Sequence, residues 1–143
     1  MAKFSKFSKS DYETLAEFRY ALRHYLRFSK EAVDTAGLTM QQHQALLAIV
    51  GYPGRERISI GELAERLQIL HHSAVGLVNR LEVQGLVERE QNHEDRRQVL
   101  IGLTEKGMEV LESLASIHRE ELRQLGPQLC AMLEKISNLM DRN

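Results

Sequence analysis

The chain has 143 residues, 43% hydrophobic and 27% charged, with two prolines, one cysteine and no tryptophan, which is the length of one domain and the composition of an ordinary globular protein rather than a disordered or collagen-like one. A formal net charge of −1 does not by itself announce a polyanion binder, so any basic surface has to be found in the local distribution of charge. No apolar run approaches the roughly 18 residues a membrane span needs, and the start at Met1-Ala2-Lys3-Phe4-Ser5-Lys6 has no apolar signal-peptide core, so a cytoplasmic protein without a membrane partner is expected.

Residues 4–10 repeat a Phe-Ser-Lys unit and are expected to form a mobile arm. Ser10 and Glu13 have capping-box spacing, and Leu15, Phe18, Leu22, Leu26 and Val33 recur at helical spacing, which predicts a long helix ending at about residue 36, with Gly37 as its stop. Thr39 and Gln42 repeat the box ahead of a shorter helix that ends at Gly51. Gly51-Tyr52-Pro53-Gly54 is turn chemistry, Ile58-Ser59-Ile60 suits a brief strand, and Ser59 with Glu62 caps a third helix closing near residue 68. Val75, Val78 and Leu81 then mark a helix over residues 72–84, with Gly85 as its C-terminal stop.

Beyond Gly85 the pattern becomes extended. Leu86-Val87 and Val99-Leu100-Ile101 flank the polar stretch EREQNHEDRRQ, which reads as a hairpin with a charged tip. Thr104 restarts helix along an apolar stripe from Met108 to Leu125. Gly126-Pro127 is expected to break it and open a last helix carrying Leu129, Met132, Leu133, Ile136 and Leu139. Cys130 lies there as the lone cysteine, without a disulfide or a cysteine-rich metal site, and is expected to be a small buried hydrophobe, with a redox sensor as the alternative.

Three helices followed by a hairpin with a basic tip is the order of a winged helix-turn-helix, whose second motif helix enters the DNA major groove. The fold class expected is mainly α with a small β-hairpin wing and long flanking dimerisation helices. Residues 1–36 would form the arm and first dimerisation helix, 37–104 the DNA-binding lobe and 105–143 the C-terminal dimerisation helices, within one compact domain. The flanking helices carry more apolar stripe than a small winged lobe covers, so a twofold homodimer is expected, reading an inverted repeat in double-stranded DNA.

The segments LTMQQHQALLAI, ISIGELAERLQI, VGLVNRLEVQGLVERE and HEDRRQVLIGLTEKG, in this order and at this spacing, resemble the signatures of the MarR family of transcriptional regulators over roughly residues 38–108. The wing is the sharpest of them, with Asp95-Arg96-Arg97 followed by Leu103-Thr104-Glu105-Lys106-Gly107. The resemblance implies an obligate dimer, usually a repressor, often released by a small phenolic or other amphipathic anion and sometimes by oxidation or a metal. It favours Arg97 as the wing arginine. Its peroxide-sensing branch is expected to carry a reactive cysteine in the first helix, which disfavours that branch for a chain whose cysteine is Cys130.

The first turn of the fourth helix places His71, His72 and Ser73 nearest the base edges, with helix capping as the alternative role. Gly76 departs from a position where a basic or polar residue is common; it either costs helix stability or permits close backbone approach to DNA. Asn79 follows a turn later, and Arg80 is either a structural ion pair or a phosphate clamp. At the tip, Arg96 and Arg97 beside Glu94 and Asp95 are either a solvated charge cluster or a minor-groove reader oriented by Asp95, and Arg89 is a further phosphate candidate. Adjacent His71 and His72 diverge by about 100° on a helix, so no metal site is expected. No cofactor or catalytic activity is expected either, because no phosphate loop, nucleophile elbow or paired carboxylates occur. A small aromatic or amphipathic effector would bind between the dimerisation helices and the DNA-binding lobe. The alternative function is a winged-helix protein-interaction module without DNA binding.

Overall fold

A computed structural model describes residues 6–141. Phe4 and Ser5, the start of the expected arm, lie outside the described residues. Helix α1 (Lys9–Thr35) begins earlier than the Ser10–Glu13 box implies. The box that forms joins Ser8 and Asp11: the Ser8 N–H donates to Asp11 Oδ2 at 2.8 Å, and the Asp11 N–H donates to Ser8 Oγ at 3.2 Å. A cap at Ser8 puts Phe7 and Tyr12 at the two positions of a hydrophobic staple, and their rings meet edge-on with centroids 6.0 Å apart. A cap at Ser10 would have placed Lys9 and Thr14 there. Glu13 pairs with Lys9 at 3.3 Å instead.

The next two boxes form where expected. Thr39 and Gln42 cap α2 (Met40–Val50), and Ser59 and Glu62 cap α3 (Ile60–Leu67), each through two reciprocal bonds of 3.0–3.1 Å. Helix α4 (His71–Val83) ends ahead of Gly85, whose φ of +75° favours glycine. Strands β1 (Ile58–Ser59), β2 (Val87–Gln91) and β3 (Val99–Leu103) form one antiparallel sheet in the order β1-β3-β2, with Ile101 facing both Ile58 and Arg89. The second strand thus reaches into the expected charged loop. With strand alternation, Glu88 and Glu90 project to one side, and Arg57 binds both, through Nη2 to Glu88 at 2.9 Å and Nε to Glu90 at 3.1 Å.

The expected break at Gly126-Pro127 does not occur: α5 runs unbroken over Glu105–Asp141. Proline removes one helical hydrogen bond and crowds the preceding turn. Here, however, Pro127 is exposed, and a half-buried or buried stripe at His118, Leu125, Met132, Ile136 and Leu139 keeps helical spacing through the site. Cys130 is a second correction. It is exposed, one helical step off that stripe.

The described chain divides into two compact units, one of Ala32–Ala115 and one combining the chain up to Glu31 with that from Ser116. The first has a continuous core in which Leu46, Ile49, Ile58, Leu63, Leu77 and Ile101 are fully buried. Three helices and the sheet meet there, so burial on one face of each holds the helix-turn-helix against the hairpin. In the second unit, buried His118 lies 2.6 Å from the Ser29 hydroxyl, with Tyr25 and Phe28 edge-on to its ring. That unit leaves Tyr20 (62%), Leu26 (54%) and Leu133 (50%) exposed. No described helix is long and apolar enough to cross a membrane.

Candidate nucleic-acid interface

The turn between α3 and α4 is closed by Gln68 in the left-handed region at φ +56°. Its N–H donates back to Ala64 and Glu65, its side-chain amide donates to the Glu65 carbonyl at 2.7 Å, and the Ile69 N–H donates to the Ala64 carbonyl at 3.0 Å. These bonds offset the ~1 kcal/mol a non-glycine residue loses there. Glycine is the usual marker of such a turn, so the sequence placed the end of α3 near residue 68 without marking Gln68 as left-handed.

Helix α4 starts at Leu70, which offers no side-chain cap, so neither histidine nor Ser73 caps the helix. The N–H groups of its first turn are left for solvent or an anion. Ala74, Leu77, Val78 and Leu81 are buried. At 100° per residue the opposite side carries His72, Gly76, Asn79 and Val83, with Ser73 and Arg80 on one flank and His71 on the other. His71, His72, Asn79 and Arg80 are exposed, and Ser73 and Gly76 are half-buried.

Arg80 folds back along the helix. Its Nη1 lies 3.5 Å from where a Gly76 Cβ would stand, and no ion pair involves it among the described residues. The exposed face therefore carries a guanidinium at the level of the residue that has no side chain. Arg89 is engaged differently. It donates through Nη2 to Asn79 Oδ1 and pairs through Nε with Glu82 at 3.4 Å, which ties β2 to α4.

The wing tip is built from side-chain turns. Asn92 Oδ1 accepts the Glu94 N–H at 3.0 Å, Gln91 Nε2 donates to the Arg96 carbonyl at 2.7 Å, and Asn92 Nδ2 donates to Gln98 Oε1 at 2.8 Å. Asp95 Oδ1 accepts both the Arg97 N–H at 3.1 Å and its Nε–H at 3.2 Å. The Arg97 side chain is 92% exposed, and its two terminal nitrogens are not engaged by Asp95. Arg96 is exposed with no carboxylate partner among the described residues. The structure thus gathers His72, Ser73, Gly76, Asn79 and Arg80 on one side of α4, joins Asp95 to Arg97 at the tip, and places Arg89 between the two as a brace.

Several residues that position this surface were missed in the sequence. Arg57 crosses β3 at Gly102 to reach the two glutamates, so close that a Cβ there would sit 2.6 Å from Nη1. Glycine inside a strand was the available sign of such an approach. Thr104 donates to the Gly85 carbonyl at 2.6 Å while accepting the Gly107 N–H at 3.1 Å, and Lys106 Nζ donates to the Gln84 carbonyl at 2.9 Å. Both bonds link the start of α5 to the turn after α4. Tyr52 lies under two cations, Arg55 and Arg66, each 4.8 Å from its ring centroid. Burial pushes the Glu62 carboxyl up, but the Ser59 N–H and the Arg55 guanidinium outweigh it and hold the pKa at about 2. No group of three or more histidine, cysteine or carboxylate side chains stands at metal-binding distance among the described residues.

A MarR family sequence model matches residues 36–98, spanning α2 to the wing tip. The chain is 30% identical over 117 residues to an organic hydroperoxide resistance transcriptional regulator of Bacillus subtilis, covering 75% of this chain and 78% of that one. It is 28% identical over 128 residues to the homoprotocatechuate degradative operon repressor of Escherichia coli, covering 89% and 82%. In fold it is similar to the S. aureus MepR–DNA complex, with a TM-score of 0.65 and 21% identity over 87% of this chain and 98% of that one. The mainly helical architecture with a three-stranded wing sheet agrees with the winged-helix reading, and the family consists of transcription factors rather than enzymes. The chain belongs to the MarR family of DNA-binding transcriptional regulators.

Proposed function

We propose that the chain is a homodimeric repressor that lays α4 into the major groove of each half of an inverted-repeat operator and the Arg97 wing into the flanking minor groove. The observation that carries this reading is the surface on the Ala32–Ala115 unit: an uncapped α4 start at Leu70, a guanidinium over Gly76, and Arg97 held by Asp95 through Nε. His71, His72 and Ser73 contact bases or phosphates near the start of α4, with Arg96 a second phosphate contact at the tip. The apolar residues exposed on α1 and α5, including Tyr20, Leu26 and Leu133, supply the surface a second copy would cover.

Repression follows from occupying a promoter, and release from a small aromatic or amphipathic anion that binds the DNA-incompatible form more tightly, typically by 1–3 kcal/mol of coupling. Similarity to a repressor named for homoprotocatechuate degradation supports an aromatic acid. The decisive experiment selects bound fragments from genomic DNA and measures their affinity against salt. An inverted-repeat consensus with a steep salt dependence is expected; fragments without dyad symmetry would overturn the dimeric operator reading. Titrating aromatic acids into the complex tests the effector, with lowered operator affinity and a raised melting temperature of the free protein as the expected results.

A further inference from the structure

The recognition helix carries one polar side chain whose orientation another residue dictates. Asn79 lies in the middle of the exposed face of α4, and the atom facing Arg89 is its carbonyl oxygen. No other orientation is chemically available, because a guanidinium has five N–H donors and no acceptor. Glu82 keeps the guanidinium in place through Nε at 3.4 Å, so strand β2 holds the amide of a helix residue.

We propose that Arg89 is a specificity-determining positioning residue: by occupying Asn79 Oδ1 it makes Asn79 read DNA as a donor only, selecting guanine and rejecting adenine at one position in each half-site. This rests on the placement of α4 in the major groove given above.

An unconstrained asparagine favours adenine because its carbonyl accepts from N6 while its amide nitrogen donates to N7. With the carbonyl turned toward β2, only the two Nδ2 hydrogens remain to meet a base edge. Guanine offers two adjacent acceptors there, O6 and N7, whereas adenine sets an amino donor beside its N7. The cation behind the carbonyl acts in the same direction. It polarises the amide, strengthens the Nδ2–H donors, weakens Oδ1 as an acceptor and repels an approaching amino group.

The test is selection from a randomised duplex library with the wild-type dimer, Asn79→Ala and Arg89→Met. Wild type should require one guanine per half-site that Asn79→Ala no longer requires. Replacing that guanine by 7-deazaguanine, which lacks the N7 acceptor, should weaken wild type roughly tenfold and leave Asn79→Ala unchanged. Arg89→Met should shift the preference at that position toward adenine. Asn79 is exposed, so its variant and the deaza probe decide the matter even if Arg89→Met fails to fold. Adenine selected by wild type, or an Asn79→Ala variant that weakens all sequences equally as a lost phosphate contact would, overturns the proposal while leaving DNA binding intact. Failure of the wild-type protein to bind any duplex overturns the functional reading and this proposal with it.

Discussion

Arg80 Nη1 lies 3.5 Å from the point where a Cβ on Gly76 would stand, so a residue without a side chain and the cation one turn below it occupy the same patch of α4. That distance is ordinary van der Waals contact, and an alanine fits. Gly76→Ala should raise stability by about 1 kcal/mol, because glycine inside a helix costs that much relative to alanine. If the helix backbone approaches DNA closely at Gly76, the same variant weakens operator binding although it folds better. Arg80→Ala should lower affinity for all sequences and reduce the salt slope by about one unit per half-site. Thermal melts and salt-titrated binding check both; an Arg80→Ala slope equal to wild type would remove Arg80 from the phosphate contacts.

Glu62 gives a pH signature. Its carboxyl sits at about 2 in the folded chain against an ordinary value of 4.5. A depressed folded-state pKa contributes stability that is complete above the unfolded value and lost as pH falls through the folded one. Glu62→Gln keeps a capping-box residue at this position and removes only the charge. Discounted for the solvent around the Arg55–Glu62 pair, the loss at neutral pH should be ~1 kcal/mol. Urea melts should show the two proteins converging between pH 4.5 and about 2; a difference constant across that range would place the effect in the cap and not in the charge.

At the base of the wing, a Cβ on Gly102 would meet Arg57 Nη1 at 2.6 Å and its Cγ and Cζ at 2.9 Å. Gly102→Ala should therefore push the arginine off Glu88 and Glu90, costing on the order of 1 kcal/mol. Arg57→Ala should cost a similar amount. The double variant should be little worse than either alone, since both break one network. Additive losses in denaturant melts would mean that Gly102 matters for another reason.

How much of this could be read in advance depended on the range of the interaction. The boxes at Thr39 and Ser59 and the stops at Gly37 and Gly85 rest on contacts between near neighbours, which residue type and spacing expose. At Ser8 the spacing alone was ambiguous, and the staple of Phe7 on Tyr12 selected between two boxes. Gly126-Pro127 carried a strong local signal that the apolar stripe on both sides overrode. The braces were not legible: Arg89 and Asn79 are ten residues apart, Arg57 and Glu88 thirty-one, and nothing short of the hairpin register brings them together.

Assembly is tested by an exposed residue that the single chain does not need. Leu133 is 50% exposed on α5, so Leu133→Glu should leave the protomer helical while placing a charge in the proposed interface. Light scattering at micromolar concentration should show a monomer or a weakened dimer, with operator affinity reduced because two half-sites are no longer bound together. An unaltered dimer would exclude this part of α5 from the interface.

The wing offers the sharpest separation of roles. Arg97 extends from a turn in which Asp95 accepts its backbone N–H and its Nε–H, and a guanidinium held by Nε still presents its two terminal nitrogens to a narrow, electronegative minor groove. Arg97→Ala should weaken binding to every sequence and flatten the salt dependence by about one unit per half-site, with unchanged circular dichroism and oligomeric mass, because the side chain is 92% exposed. Asp95→Ala should give a milder loss, since the arginine keeps its charge but not its orientation. Lysine at position 97 separates charge from shape: a point charge restores the salt slope but not the preference for narrow A·T-rich flanks. Ser73→Ala combined with His72→Ala should do the reverse and weaken operator binding more than random DNA, typically by 1–3 kcal/mol per lost contact. An Arg97→Ala protein that binds operator with wild-type affinity and salt slope as a folded dimer would place the wing outside the minor groove.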